Sequence, residues 1–328
     1  MNREKIVWLE IHAPEVMKRE HEILPDGFSI VRPESRTDRD EHLRLVADAD
    51  YIIAGGIPVT GEYIDAAKKL KMIQKWGIGV DKIDCDAARR AGVAVNITAG
   101  SNAIPVAELA VGLMLAVNRK IPYVDASVRD GRWVKAEMRS QCYMINGKTV
   151  GLLGIGNIAK RVARLLSGFE VDILYYDICR LDKEEEKARG VRYAPFDELI
   201  AASDIVSVHV PLTGETRGMI GKEAFTRMKK TAILINTARG FVVDEAALIE
   251  ALQEGEIRAA GIDAFESEPV EPDNPLLTME NVVLTCHCGG GVLDNVLPVT
   301  RHAYENIEKF SKHAAMDPRD VVVQRTAS

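Results

Sequence analysis

The chain has 328 residues, enough for two domains. Apolar residues make up 47% and aromatic ones only 5%, a balance that suits closely packed α/β layers. With 42 Lys and Arg against 49 Asp and Glu, the net charge is −7, and no long basic run gives the chain an electrostatic reason to bind nucleic acid. Cys85, Cys142, Cys179, Cys286 and Cys288 show no C-x-x-C spacing of a zinc or redox site. Free thiols, no metal and a cytoplasmic setting are therefore expected. The start, MNREKIVWLE, is charged at once and has no signal-peptide apolar core. The longest apolar stretch, Ala103 to Val117, is broken by Pro105 and Glu108 and is too short to span a bilayer.

In chain order, short β-branched runs alternate with helical patterns. Ile6–Leu9 and Asp50–Ala54 read as strands, and a helix follows Thr60. Lys71–Trp76 is a strand ending in Gly77-Ile78-Gly79. Asp84–Ala91 is a helix closed by Gly92, and Val93–Asn96 a short strand. A long helix is expected from Ile104 to Lys120, then an irregular stretch from Arg129 to Asn146. A second series has strands at Thr149–Leu153, Asp172–Tyr176, Asp204–His209, Ala232–Asn236, Ala259–Asp263 and Val282–Thr285. A last amphipathic helix spans Asp294 to Phe310, with Pro298 expected to disturb its first turns. The expected fold is α/β, with two doubly wound parallel-sheet domains.

The strand Thr149–Leu153 runs into Gly154-Ile155-Gly156-Asn157-Ile158-Ala159, a G-x-G-x-x-A pattern. Alone it is weak, because glycine turns are common. Here a strand precedes it, a helix follows, and Asp177 ends the next strand about 20 residues on, as a dinucleotide fingerprint requires. Gly154 permits the tight turn, Gly156 lets a pyrophosphate approach the backbone, and Ala159 keeps helix and strand close. The helix N-terminus offers free N–H groups to the phosphates. Asp177 would accept from both adenosine ribose hydroxyls and repel a 2′-phosphate, favouring NAD; Arg180 nearby would soften that preference.

Arg239, Glu268 and His287 each follow a late strand, where ligands bind in open α/β sheets. A lone Arg after a strand is usually a surface residue, a lone Glu before Pro a loop residue, and a lone His a satisfied structural one. Their joint occurrence behind a dinucleotide fingerprint reverses those odds.

At this point the chain resembles the D-isomer-specific 2-hydroxyacid dehydrogenases over nearly its whole length. Gly77-Ile78-Gly79-Val80-Asp81-Lys82-Ile83-Asp84 is similar to the family's G-x-G-x-D-N-I-D, with Lys82 for Asn. Asn96 to Glu108 resembles N-x-P-G-x-N-x-x-x-V-A-E, with Ala99 for Pro. His209 to Thr213 resembles H-x-P-L-T, and Asn236 to Asp244 resembles N-x-x-R-G-x-x-V-D. The resemblance implies Arg239, Glu268 and His287 as catalytic residues. It implies Gly77, Ile78 and Gly79 around the substrate carboxylate, with Arg239 and His287 also touching substrate. For NAD it implies Gly154, Gly156, Asn157, Ile158, Asp177, Val210, Pro211, Thr237, Ala238, Asp263, Gly289 and Gly290. It further implies a Rossmann NAD-binding domain at 102–291, a flavodoxin-like substrate domain made of 1–101 and 292–328, and a homodimer.

In the expected mechanism His287 donates a proton to a 2-keto acid, Glu268 holds the imidazole, and Arg239 binds carboxylate and carbonyl oxygen. The family usually has T-P-H-I-G-G where this chain has Thr285-Cys286-His287-Cys288-Gly289-Gly290. Two thiols thus flank the histidine. On an extended segment both would lie on the side opposite His287. A neighbouring imidazolium would lower their pKa and make a peroxide switch; packing would leave them inert. Gly55-Gly56 stands where relatives acting on phosphoglycerate carry an Arg, which points to a small unphosphorylated keto acid such as glyoxylate or hydroxypyruvate. Lys75 and Lys135 point mildly the other way, and Trp76 would narrow the pocket. Phosphoglycerate dehydrogenation and formate or phosphonate oxidation are alternatives within the enzyme class. An NAD-sensing corepressor-like regulator is the alternative outside it.

Overall fold

The computed structural model describes residues 3–325. They fall into two compact units, one drawn from Met1–Asn102 with Gly291–Ser328, the other from Ala103–Gly290.

In the first unit, β1 (Glu4–Leu9), β2 (Phe28–Val31), β3 (Tyr51–Ala54), β4 (Met72–Lys75) and β5 (Ala94–Asn96) pair in parallel, in the order 2-1-3-4-5. That is the flavodoxin-like doubly wound order. Both faces are covered, so the strands are apolar almost without alternation: Ile6, Val7, Trp8 and Leu9 are all fully buried.

The second unit holds β6 (Thr149–Leu153), β7 (Asp172–Tyr176), β8 (Val191–Tyr193), β9 (Ile205–Val208), β10 (Ile233–Asn236), β11 (Ala259–Ile262) and β12 (Val282–Leu284). Its order is β12-β11-β10-β9-β6-β7-β8, the Rossmann order with one added strand. The long helix Ala103–Arg119 packs on this sheet, burying Ala107, Ala110, Met114 and Val117.

The last strand, β13 (Val321–Val323), lies antiparallel against β5 in the first sheet, which is therefore not purely parallel as the strand pattern predicted. Asp320, just before β13, is 2% exposed and accepts from Ala99 N–H at 2.8 Å, His302 Nε2 at 2.7 Å and Asn306 Nδ2 at 3.2 Å. The helix Leu293–Ser311 runs unbroken through Pro298; only the bond to the carbonyl of Asp294 is forgone. The stretch expected to be irregular contains one short helix, Lys135–Met138. Among the described residues no helix is long and apolar enough to cross a membrane, and no group of His, Cys, Asp and Glu could hold a metal.

Candidate active site

The C-terminal edge of the second sheet carries most of the expected site residues. β6 ends in Gly154 at φ +93°, where a Cβ would lie 2.9 Å from the His209 backbone. Conformation and crowding both demand glycine there. The turn is pinned by Gly154 N–H to Tyr176 C=O at 2.7 Å and His209 N–H to Leu153 C=O at 2.7 Å. Gly156 caps the helix Asn157–Leu166 without a side chain, and a Cβ on it would meet nothing within 4 Å. The first N–H groups of that helix are therefore open on the side a pyrophosphate would take. Ala159 is fully buried, and Asn157 is exposed.

Asp177, just past β7, accepts from Ile155 N–H at 2.8 Å and Cys179 N–H at 2.9 Å, one on each oxygen. Each carboxylate oxygen retains a lone pair for a further donor. Arg180 is held away by Glu186 at 2.9 and 3.3 Å and stacks 4.8 Å from the Tyr193 ring. Thr237 Oγ1 is buried and has no partner among the described residues. An orphaned hydroxyl at an expected cofactor contact, together with an uncapped helix and an open glycine on the same sheet, fits a bound dinucleotide. Val210 is half-buried and Pro211 exposed, on the loop after β9. His209 before them is partly buried, with Nε2 2.9 Å from Ser207 Oγ, and desolvation holds its imidazole down at about 4.

Arg239 follows β10. Asn236, 1% exposed, fixes this loop by donating to Arg239 C=O and accepting from Ala238 N–H, both at 3.0 Å. Arg239 Nη1 donates to Ala238 C=O at 2.7 Å. The next residue, Gly240, lies so close to the loop after β11 that a Cβ would stand 2.0 Å from the Phe265 carbonyl. That packing joins the Arg239 loop to the loop bearing Glu268. Glu268 Oε1 lies 2.7 Å from His287 Nδ1 and accepts from Phe265 N–H at 3.3 Å.

The His287 loop is organised by Asp263, which is 1% exposed. Its Oδ1 accepts from Thr285 Oγ1 at 2.6 Å and Cys288 N–H at 2.9 Å, its Oδ2 from Gly289 N–H at 3.1 Å, and its carbonyl from His287 N–H at 2.8 Å. Gly289 is buried and Gly290 half-buried. Sequence reasoning missed Thr285 and this clamp, because a hydroxyl two residues before a histidine carries no signal of its own. His287 itself sits at φ +54°, so the segment is not extended as expected. The thiols of Cys286 and Cys288 nonetheless meet each other. Burial, Asp263 and the neighbouring thiol push Cys288 up, which at Cys288 favours the inert reading over the redox switch.

In the first unit, Gly77 has φ +116°, and its N–H reaches Thr98 Oγ1 at 3.0 Å. The N–H groups of Ile78 and Gly79 donate to none of the described residues. Lys75 Nζ donates to Gly55 C=O at 2.8 Å. Gly55 and Gly56 face Glu10: a Cβ on them would lie 2.4 and 2.6 Å from Glu10 atoms. Glu10 accepts from Gly56 N–H at 2.5 Å and pairs with Arg36 at 2.5 Å. Trp76 turns to the core, donating to Thr300 at 3.1 Å and lying 5.0 Å from the His12 ring.

A glycine turn at the head of a Rossmann sheet, with an acid beyond the next strand and a His–Glu pair near an Arg loop, defines a dinucleotide-dependent enzyme. The model of the D-isomer specific 2-hydroxyacid dehydrogenase NAD binding domain matches residues 111–289. The chain belongs to that family, whose members are NAD-dependent oxidoreductases. It is 42% identical over 275 residues to the D-3-phosphoglycerate dehydrogenase of Archaeoglobus fulgidus, covering 84% of this chain and 52% of that protein. It is also 42% identical over 257 residues to the glyoxylate reductase of Korarchaeum cryptofilum, covering 78% and 77%. The chain thus spans about half the length of the first relative and three quarters of the second. Among solved structures, the NAD-dependent formate dehydrogenase of Staphylococcus aureus in complex with NAD superposes with a TM-score of 0.87 at 26% identity, covering 98% of this chain and 100% of that one.

Proposed function

We propose that this chain reduces a small unphosphorylated 2-keto acid to the D-2-hydroxy acid, in the cytoplasm and as a homodimer. The observation that carries the catalytic assignment is the 2.7 Å contact between His287 Nδ1 and Glu268 Oε1. A carboxylate on Nδ1 keeps the proton there and leaves Nε2 to give its proton to a carbonyl oxygen. Arg239, at the head of its pinned loop, holds the substrate's oxygens and stabilises charge on the one being reduced. The N–H pair of Ile78 and Gly79 is the proposed carboxylate donor set.

NAD, when bound, supplies and recovers the hydride. Gly154, Gly156, Asn157 and Ile158 would hold its pyrophosphate, Asp177 its adenosine ribose, and Val210, Pro211, Thr237 and Ala238 the remainder. Asp263, Gly289 and Gly290 would also line the cofactor site, Asp263 and Gly289 while setting the His287 loop. Because Glu186 engages Arg180, that cation is drawn away from a 2′-phosphate beside Asp177. The Glu10 carboxylate behind Gly55 and Gly56 leaves no room for an arginine there and disfavours a phosphorylated substrate. Large apolar groups stand exposed on one stretch of the chain, Ile104, Ile121, Trp133 and Met144, which supports a subunit contact.

The test is a panel of NADH and NADPH oxidation rates with glyoxylate, hydroxypyruvate and phosphohydroxypyruvate. The reading expects NADH with an unphosphorylated acid to give the highest kcat/KM. A clear preference for the phosphorylated acid would overturn the substrate class.

A further inference from the structure

The first unit carries a second polar concavity at the N-terminal edge of its sheet, the edge opposite the Gly77 turn. It measures about 660 Å³ and is lined by Asp50, Lys68, Lys69, Lys71, Arg90 and Arg325, with Leu70, Ala91 and Gly92. Its floor is fixed. Lys71 N–H donates to Asp50 C=O at 2.9 Å, Lys71 C=O accepts from Ala94 N–H at 3.2 Å, and Lys5 N–H donates to Asp50 Oδ2 at 2.9 Å. Lys71 Nζ is spoken for, bridging Asp50 at 2.9 Å and Glu4.

The other four cations are different. Lys68, Lys69, Arg90 and Arg325 are exposed and form no ion pair with any described residue. This is a cationic surplus on a chain of net charge −7. A bland origin exists for part of it. Two helices, Gly61–Ala66 and Cys85–Arg90, end here, and cations at helix C-termini offset the macrodipole. Two such ends carry roughly one negative charge between them, about 0.5 each. Four cations without an ion pair among the described residues exceed that several-fold, even though Asp48 lies close enough to feel Lys69. They also come from three separate segments, and Arg325 belongs to neither helix.

We propose that this concavity is a binding site for a compact phosphate-rich anion, of the size and charge of an inorganic tripolyphosphate or the polyphosphate moiety of a nucleotide. Lys68 and Lys69 would supply point charges, and Arg90 and Arg325 planar forks that take phosphate oxygens in pairs. The volume lies within the range of small-molecule sites. Lys71 is shared between Asp50 and Glu4, so the floor keeps one negative charge, which the four exposed cations outweigh.

The experiment is titration calorimetry of the full chain with inorganic tripolyphosphate at low ionic strength, in the presence of saturating NADH so that the dinucleotide turn is filled. The proposal expects one saturable site whose affinity falls steeply with added salt. In Lys68→Gln/Lys69→Gln/Arg90→Gln/Arg325→Gln the affinity should drop on the order of tenfold or more. Because all four side chains are exposed, the melting curve should be unchanged. Lys68→Arg/Lys69→Arg should keep binding. The absence of saturable heat overturns the proposal, as does equal affinity in the quadruple variant. So does binding that appears only when NADH is left out.

Discussion

Glu268 Oε1 lies 2.7 Å from His287 Nδ1, and the same oxygen is anchored by Phe265 N–H at 3.3 Å. The carboxylate is thus aimed by its own loop before it meets the imidazole. An amide in its place would present either N–H or C=O to Nδ1 and lose control of the tautomer. Glu268→Gln should therefore lower kcat by roughly 10- to 100-fold, below the full loss of a general acid. The NADH dissociation constant should stay the same. Steady-state rates with parallel NADH fluorescence titration check this; an unchanged kcat would remove Glu268 from the mechanism.

Gly240 makes the junction between two functional loops. An added methyl would meet the Phe265 backbone, which cannot swing aside as a side chain can. Gly240→Ala should cost about 2 kcal/mol or more in stability and reduce turnover by moving Arg239 and Glu268 together. Urea unfolding and kcat on the same sample measure both. A fully stable, fully active variant would mean that the loops are not coupled here.

Much of this was legible in the sequence. The Gly154 turn, Asp177 and the three catalytic candidates fall at strand ends because most strands of the second sheet, β6, β7, β9, β10 and β11, are largely buried and read as mostly apolar runs; the short edge strand β8, with Arg192 exposed, was not legible. Strand β2 and the helices Pro14–Glu22 and Arg39–Val46 were not legible. The first helix buries a charged residue, Glu20, made tolerable by Arg32 at 2.6 Å and His12 at 2.8 Å, so its sequence shows no apolar stripe. β2 is only four residues long. The turn at His287 was also hidden, because a positive φ at a non-glycine residue is enforced by Asp263 from another strand.

His209 links pH to stability. Its ordinary pKa is 6.5, and burial holds it at about 4 in the folded chain. Above the ordinary value neither state is protonated. As pH falls from there, the unfolded chain takes up a proton that the folded one refuses until about pH 4, so stability is lost across that window. The loss amounts to about 3 kcal/mol. His209→Asn should lack this component. Denaturation at about pH 7.5 and about pH 4 in both proteins gives the difference; identical pH slopes would contradict the burial account.

Cys288, beside His287, should be a poor nucleophile. With Cys288 pushed up by burial and Asp263, its thiolate is scarce at neutral pH. Alkylation by iodoacetamide at neutral pH should run no faster than with a free thiol, and peroxide should cost Cys286→Ala/Cys288→Ala as much activity as wild type. A selective, reductant-reversible loss in wild type alone would restore the redox switch.

The central claim is that His287 hands a proton to a keto acid while a dinucleotide sits on the Gly154 turn. The most direct measurement is single-turnover NADH oxidation with glyoxylate or hydroxypyruvate by wild type and His287→Ala, each pre-saturated with NADH. The account predicts a rate lowered by about 10²- to 10⁴-fold with NADH affinity unchanged. Near-normal turnover in His287→Ala would contradict it.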